Sequence, residues 1–336
     1  GKKVFYKFTE LSSPYANKFP STFLRHLVRF IELLYGLLFT LLFILKNNVS
    51  ILNYSLTSDL KIEYYFLKLI KFITKIDLVI TCHDVIPFES KNLSHFKAVK
   101  AKAKFFNIAD KLIVHNENSV IDLKNHYNIN SDKIISFPFP SMNLELLNFN
   151  TKKKISNNFR VGMVGHFRKE KGIEILAEAW NKFYKDEMNV ELILAGNFPL
   201  DTDSIIDSLD NKNATIIKKF ISEKEYTQII SDCDVIVLPY LRGTNSGIPS
   251  SVVYLDTIVL TSDIDMFKNN KLINNKFIFK SEDSSSLLER LQYIFINFNS
   301  EKKNWLNTNR ELIINYEASF DKEIHKAIDA LKYNKH

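Results

Sequence analysis

The stretch Val161-Gly162-Met163-Val164-Gly165-His166-Phe167-Arg168-Lys169-Glu170-Lys171-Gly172 decides the fold. Val161 to Val164 is a short apolar run suited to a buried strand. Gly165 breaks that run and allows a tight turn. Arg168, Lys169 and Lys171 then crowd a loop, and residues 173–183 carry apolar side chains at helical spacing. Two readings fit this strand, glycine turn, basic loop and helix start. One is an anion site, because a helix N-terminus presents unbonded N–H groups and the positive end of its dipole. The other is an ordinary β-α turn with solvated lysines.

The same alternation continues on both sides. Downstream, strands are expected at 190–195, 215–218, 235–238, 258–261 and 276–279, with helices between them. Two helices, near 284–298 and 305–331, close the chain. Upstream, strands are expected at 3–8, 49–54, 77–82, 111–115 and 133–137, and helices at 60–73 and 95–108. Asn118 or Ser119 can cap the helix after the fourth of these strands. Strands alternating with helices argue for parallel sheets covered on both faces. Residues 148–158, with Lys152, Lys153 and Lys154, have the composition of an interdomain linker. The doubling is therefore at the level of whole α/β domains: 1–153, 154–312, and a terminal helix over 313–336.

Bulk composition agrees. The 336 residues suit two domains, 46% hydrophobic with 25% charged marks a globular chain, and 8 Gly with 8 Pro disfavours a turn-rich all-β fold. Cys82 and Cys233 lie in apolar strand-like runs without metal-ligand spacing, so buried thiols in a reducing cytoplasmic compartment are expected. No signal-peptide pattern opens the chain, and a start at Gly1 rather than Met points to a missing upstream segment.

Charge is uneven. Residues 1–155 hold 22 basic and 12 acidic side chains, against 23 and 26 in the remainder. A basic first half suits an anionic partner. A membrane fits better than nucleic acid because Phe23 to Leu45 is the most hydrophobic segment, with Arg25, Arg29 and Lys46 flanking its Phe30 to Leu45 part. Its uninterrupted part, Phe30 to Leu45, contains Glu32 and is short for a span of about 20 residues. A helix lying in the inner-face interface is expected, helped by the lysine-rich helices that follow; a buried core helix is the alternative.

A second informative stretch runs Asp234-Val235-Ile236-Val237-Leu238-Pro239-Tyr240-Leu241-Arg242-Gly243-Thr244-Asn245-Ser246-Gly247. A buried strand ends at Pro239, and a polar glycine loop feeds a helix that can hold Pro249 in its first turn. Ligands of open α/β sheets bind at the carboxyl ends of strands, where such loops lie. Asn245, Ser246 and Gly247 can offer backbone N–H groups to a phosphate; alternatively Ser246 or Ser250 simply caps the helix.

Taken in order, these features resemble a GT-B fold glycosyltransferase, nearest the retaining group called glycosyltransferase family 4. The resemblance is carried by the G-x-x-R-x-x-K-G turn at 165–172, the Leu194-Ala195-Gly196 strand end, and the D-V-I-V-L-P strand with its glycine loop. In the first half, Ile80-Thr81-Cys82-His83-Asp84-Val85-Ile86-Pro87 looks like that family's strand-to-"HD..P" loop, and 109–119 looks like its "AD.ii..S" segment. The resemblance implies two Rossmann-like domains facing across a cleft and a C-terminal helix crossing back to the N-terminal domain. It also implies transfer of a sugar from a UDP- or GDP-type nucleotide diphosphate sugar, without resident cofactor or metal.

The implied site can be written residue by residue. The leaving diphosphate accumulates charge, so it needs cations and N–H donors. Lys171 matches the family lysine; the family arginine position holds His166, with Arg168 two residues on. Gly165, Gly196, Tyr240, Arg242, Asn245, Ser246, Gly247 and Ser251 complete the implied donor set. Tyr240 and Arg242 either contact base or phosphates or only pack. The family's E-x7-E motif would fall on Gly243 and Ser251; an "NSG" loop stands there instead, and Asp256-Thr257 replaces a helix-ending glycine. His83 is the candidate for a sugar hydroxyl or developing oxocarbenium, and Asp84 for a base, unless His83 is a strand-end histidine bonding backbone. Glu89 and Glu117 are weaker acceptor-side candidates. The expected acceptor is a lipid-linked sugar or polysaccharide in surface glycan or lipopolysaccharide synthesis. A non-catalytic partner subunit and a nucleotide-sugar epimerase of the same fold are the alternatives.

Overall fold

The computed structural model describes residues 22–56, 61–86, 93–136, 157–186, 189–199, 202–209 and 213–332. The expected strand at 3–8, most of the expected linker, Pro87 and Glu89 lie outside them. The described chain forms two compact units. One reaches to Val114 and takes in Ile121–Ile135; the other takes His115–Val120 and the chain from residue 157 onward.

The first unit runs α1 (Thr22–Asn47), β1 (Ile51–Leu56), α2 (Lys61–Thr74), β2 (Asp77–Cys82), α3 (Leu93–Ile108), β3 (Lys111–Val114), α4 (Glu117–Tyr127) and β4 (Ile134–Ser136), except that the first four residues of α4 and the last of β4 are grouped with the other unit. Its described strands lie in the order β1-β2-β3-β4. β1 and β2 are parallel with Ile51 opposite Asp77, and β2 and β3 are parallel with Val79 opposite Lys111. β2 is central and reads as a continuous apolar run because both its faces are covered: Leu78, Val79, Ile80 and Cys82 are all buried. Asp110 fastens this layer. It accepts from Lys71 Nζ at 2.6 Å and from the Leu78 backbone N–H at 2.8 Å, joining α2 to the start of β2.

α1 departs from expectation in its length, and from the alternative reading in its burial. Its segment Leu27–Asn47 is 21 residues, long and apolar enough to cross a membrane by length and composition; the polar Glu32 does not shorten it. It is also not a buried core helix. Among its described side chains only Leu37 and Ile44 are buried, with Ile44 packing on Ile70 and Ile76. Tyr35, Leu38, Leu42 and Leu45 of α1 are exposed, as are Tyr65, Leu69 and Phe72 of α2.

The second unit runs β5 (Phe159–His166), α5 (Ile173–Asp186), β6 (Val190–Asn197), α6 (Asp203–Asp207), β7 (Ala214–Lys218), α7 (Glu223–Asp232), β8 (Val235–Leu238), α8 (Ile248–Tyr254), β9 (Ile258–Ser262), α9 (Asp265–Lys268), β10 (Ile278–Phe279) and α10 (Ser284–Lys332). All six strands are parallel in the order β10-β9-β8-β5-β6-β7. Side chains alternate between two cores, as the pleat requires. Val161, Met163, Leu192, Leu194, Val235 and Val237 join Trp180, Phe183, Leu287, Leu291 and Trp305 on one face. Val164, Ile193, Ala195, Ile236 and Leu238 join Ile230, Val252, Val253 and Tyr316 on the other.

Several local expectations are corrected. The two tail helices are one helix of 49 residues. The polar run Asn299-Ser300-Glu301-Lys302-Lys303-Asn304 contains no Gly or Pro, so nothing breaks the helix there. The cap before α4 is neither Asn118 nor Ser119 but Asn116, whose Oδ1 accepts the Ser119 N–H at 2.8 Å. Lys133, and Lys276 with Phe277, expected to open two strands, instead end single 3-10 turns, Ser131–Lys133 and Asn275–Phe277, and the strands begin after them. Asn130 and Asn274 explain this, since each side chain accepts an N–H two residues on and turns the chain.

Candidate functional site

In the second unit the chain passes from β5 outward to β6 and β7, then returns past β5 to lay down β8, β9 and β10 on the other side. The order therefore reverses between β5 and β8, and the loops leaving their carboxyl ends diverge to form a crevice. Those are the two loops singled out in the sequence. The topology makes them neighbours although 70-odd residues of chain separate them.

Contacts tie the loops together. After β5, Lys169–Lys171 forms a 3-10 turn ended by Gly172 at φ 66°. The Leu241 N–H donates to the Glu170 carbonyl at 2.9 Å. Arg242 donates to Glu170 Oε1 at 3.1 Å. Gly172 lies flush against the second loop: a Cβ there would sit 1.9 Å from the Pro239 carbonyl oxygen. Gly196 is similarly constrained at φ 151°, with its missing Cβ 1.8 Å from the Gly165 oxygen, so the ends of β5 and β6 close up side by side.

The candidate residues fall into distinct environments. Lys171 Nζ stands 3.6 Å from the centroid of the Tyr240 ring. Arg168 is exposed at the start of the 3-10 turn, near enough to Glu170 and Tyr240 to favour the ionised form of each. His166 is exposed, its Nδ1 3.1 Å from Asn197 Nδ2. Tyr240 is 1% exposed and packs on Phe267. Burial pushes its hydroxyl pKa up, against a hydrogen bond with the Ser246 side chain. Arg242 is engaged by Glu170. The Glu170 carboxyl is held below its usual range by its own backbone N–H; partial burial opposes this and Arg242 adds to it.

The "NSG" loop is placed without a side-chain helix cap. Gly247 is the N-cap of α8, and Pro249 sits in its first turn. Ser250 does not cap; its Oγ donates to the Gly247 carbonyl at 2.7 Å. Ser246 Oγ is only a long 3.4 Å from the Ile248 N–H. Ser251 is buried, its Oγ 3.2 Å from the Gly247 carbonyl and hydrogen-bonded to Tyr226, whose pKa burial pushes up to about 12. Asn116 Nδ2, grouped with this unit, donates to the Thr244 carbonyl at 2.9 Å and lies 3.1 Å from Asn245 Oδ1.

In the first unit, His83 follows β2, with Nε2 3.1 Å from Ser55 Oγ. Burial lowers its pKa and the neighbouring Asp84 partly restores it. The backbone around it is pinned: Lys102 Nζ donates to the Asp84 carbonyl, and Tyr127 donates to the Val85 carbonyl at 3.0 Å. Glu117, grouped with the second unit, is exposed in the first turn of α4. Among the described residues no group of three or more His, Cys, Asp and Glu side chains is arranged to hold a metal ion. The crevice residue that sequence reading missed is Glu170. It stands between two lysines and reads there as part of a solvated turn; the only available signal was its position in the basic loop.

A doubly wound parallel sheet with a basic, glycine-bounded crevice at its reversal point is the architecture in which open α/β proteins hold their ligands. Residues 145–312 match the family "Glycosyl transferases group 1", and residues 40–138 match "Glucosyltransferase 3-like, N-terminal domain". The chain belongs to the group 1 glycosyl transferases and is a glycosyltransferase. No curated protein matches it in sequence. Among solved structures it is similar to sucrose-phosphate synthase from Thermosynechococcus elongatus, with TM-score 0.68, 14% identity, and coverage of 90% of this chain and 78% of that one. A glycosyltransferase from Rickettsia africae gives TM-score 0.68 and 17% identity over 91% of this chain and 82% of that one. HepE from Anabaena, solved with UDP-glucose, gives 0.67 and 12% over 87% and 82%. The shared α/β fold is that of GT-B glycosyltransferases, long C-terminal helix included.

Proposed function

We propose that the chain transfers a sugar from a UDP- or GDP-type nucleotide diphosphate sugar, with retention and without a metal, to a lipid-linked or polysaccharide acceptor. The observation that carries this reading is the meeting of the β5 and β8 loops, which gathers Arg168 and Lys171 over one crevice. Charge grows on the diphosphate as the glycosidic bond breaks, and fixed cations stabilise that growth. Lys171 is the principal diphosphate residue and Arg168 the second; Gly165, His166 and Gly196 shape the turn around them. Backbone N–H groups of Asn245, Ser246 and Gly247 are proposed donors on the other loop. Arg242 acts through Glu170 rather than on phosphate, and Ser251 packs rather than binding ribose. His83 and Asp84 are proposed as the sugar-side groups of the first unit. HepE, of the same fold, was solved with UDP-glucose, which supports the donor class.

The acceptor reading rests on α1 and α2. Their exposed apolar residues, with Arg29, Lys46, Lys61 and Lys68 beside them, suit a helix pair at the cytoplasmic face of an anionic membrane. Surface glycan or lipopolysaccharide synthesis is the proposed setting. Release of nucleotide from a panel of nucleotide sugars tests the central claim. Lys171→Ala is expected to lower that release by about two orders of magnitude with the fold intact. Unchanged release would remove the diphosphate assignment.

A further inference from the structure

Lys171 reaches the crevice on a four-carbon stem, and such a stem samples many rotamers unless something holds it. Lys171 Nζ stands 3.6 Å from the Tyr240 ring centroid, well inside cation–π range of about 6 Å. The ring attracts the ammonium through its quadrupole.

The ring is packed on one side and its residue is anchored at the backbone and at the hydroxyl. Tyr240 is 1% exposed and tilted against Phe267, with centroids 5.2 Å apart. Its carbonyl accepts from Ser262 Oγ at 2.6 Å and from Ser281 Oγ at 3.4 Å, and its hydroxyl is hydrogen-bonded to the Ser246 side chain. The side chain therefore spans from the β8 strand end to the 243–247 loop and presents one aromatic face to the β5 loop. A buried tyrosine whose ring face receives a lysine from the opposite loop is a platform, not only a core residue.

We propose that Tyr240 is the positioning residue for Lys171, holding its ammonium where it meets the diphosphate of a nucleoside diphosphate. This rests on the reading of the β5/β8 crevice as the donor site. Tyr240 does not itself touch the ligand. It shortens the list of places Lys171 can be before the diphosphate arrives, which favours binding by preorganisation.

Calorimetry with UDP and GDP on the full chain tests this, using Tyr240→Leu, Tyr240→Phe, Lys171→Ala and the Tyr240→Leu/Lys171→Ala double variant. Tyr240→Leu is expected to weaken binding roughly fivefold. Tyr240→Phe keeps the ring and should stay within about twofold of the parent. In the Lys171→Ala background, Tyr240→Leu should have no further effect, since it acts through the lysine. A Tyr240→Leu variant that binds like the parent, a Tyr240→Phe variant as weak as Tyr240→Leu, or an additive loss in the double variant each overturns the proposal while leaving the donor site standing. Failure of the parent to bind either nucleotide overturns both. One measurement needs no folded variant at position 240: the Tyr240 ring current should move the Lys171 Cε protons upfield in the parent spectrum, and unshifted resonances would refute the contact.

Discussion

Gly172→Ala perturbs the point where the two crevice loops touch. Two costs can be worked out from the structure. Gly172 sits at φ 66°, where a Cβ costs about 1–2 kcal/mol. The added Cβ would also lie 1.9 Å from the Pro239 oxygen, more than 1 Å inside ordinary contact, so the loops must part. Parting them breaks the 2.9 Å bond from the Leu241 N–H to the Glu170 carbonyl, worth about 1 kcal/mol. Together these give about 2–3 kcal/mol. In a unit of this size about 1 kcal/mol moves the melting midpoint by roughly 2–4 °C, so a fall of about 4–12 °C is expected. Both tryptophans of the chain, Trp180 and Trp305, lie in the core of the second unit, so their fluorescence follows that unit alone. Nucleotide binding should weaken in the folded variant, because Lys171 adjoins the displaced residue. A Gly172→Ala protein that melts and binds like the parent would refute the account of how the loops are joined.

Asp256→Gly should stabilise the second unit by about 0.5–1 kcal/mol, read as a raised fluorescence melting midpoint, because Asp256 holds a left-handed conformation at φ 55° just past α8. His83 has a folded pKa below its ordinary value, so the folded state resists protonation. Its contribution is intact above about pH 6.5 and is lost as pH falls toward the lowered folded value. An NMR titration of its ring should show a midpoint below that of an exposed histidine, and His83→Gln should flatten the loss of stability on the acid side. Phe72, 83% exposed on α2, should contribute to membrane docking. Phe72→Asp is expected to lower flotation with anionic liposomes about tenfold, and equal flotation would remove α2 from the docking face.

The alternation of apolar runs with helical periods was enough to place both sheets, because parallel strands covered on both faces are written as unbroken apolar stretches such as Leu78 to Cys82 and Val235 to Leu238. Helix ends were harder. Asn116, Asn118 and Ser119 are all competent caps, and only the turn geometry chooses Asn116. Polarity alone does not stop a helix that lacks Gly and Pro, so residues 299–304 carry one helix across the break expected there. At the site, the basic loop and the glycine loop were each visible. Their pairing was not, since it depends on the return of the chain past β5 to form β8. The contacts of Glu170, and the meeting of Tyr240 with the β5 loop, depend on that pairing.

Each unit also contains one buried cysteine. Cys82 closes β2 at 1% exposure, with its thiol pKa pushed up to about 12 by burial, and Cys233 is fully enclosed between α7 and β8. Cys233 fills the space opposite Gly162, where a Cβ would come within 2.5 Å of its sulfur. An alkylating reagent can reach neither thiolate until the surrounding sheet opens. The chain thus has two internal clocks, one per unit. Labelling followed by mass analysis of the Cys82 and Cys233 peptides would time the opening of each unit separately, without any engineered probe.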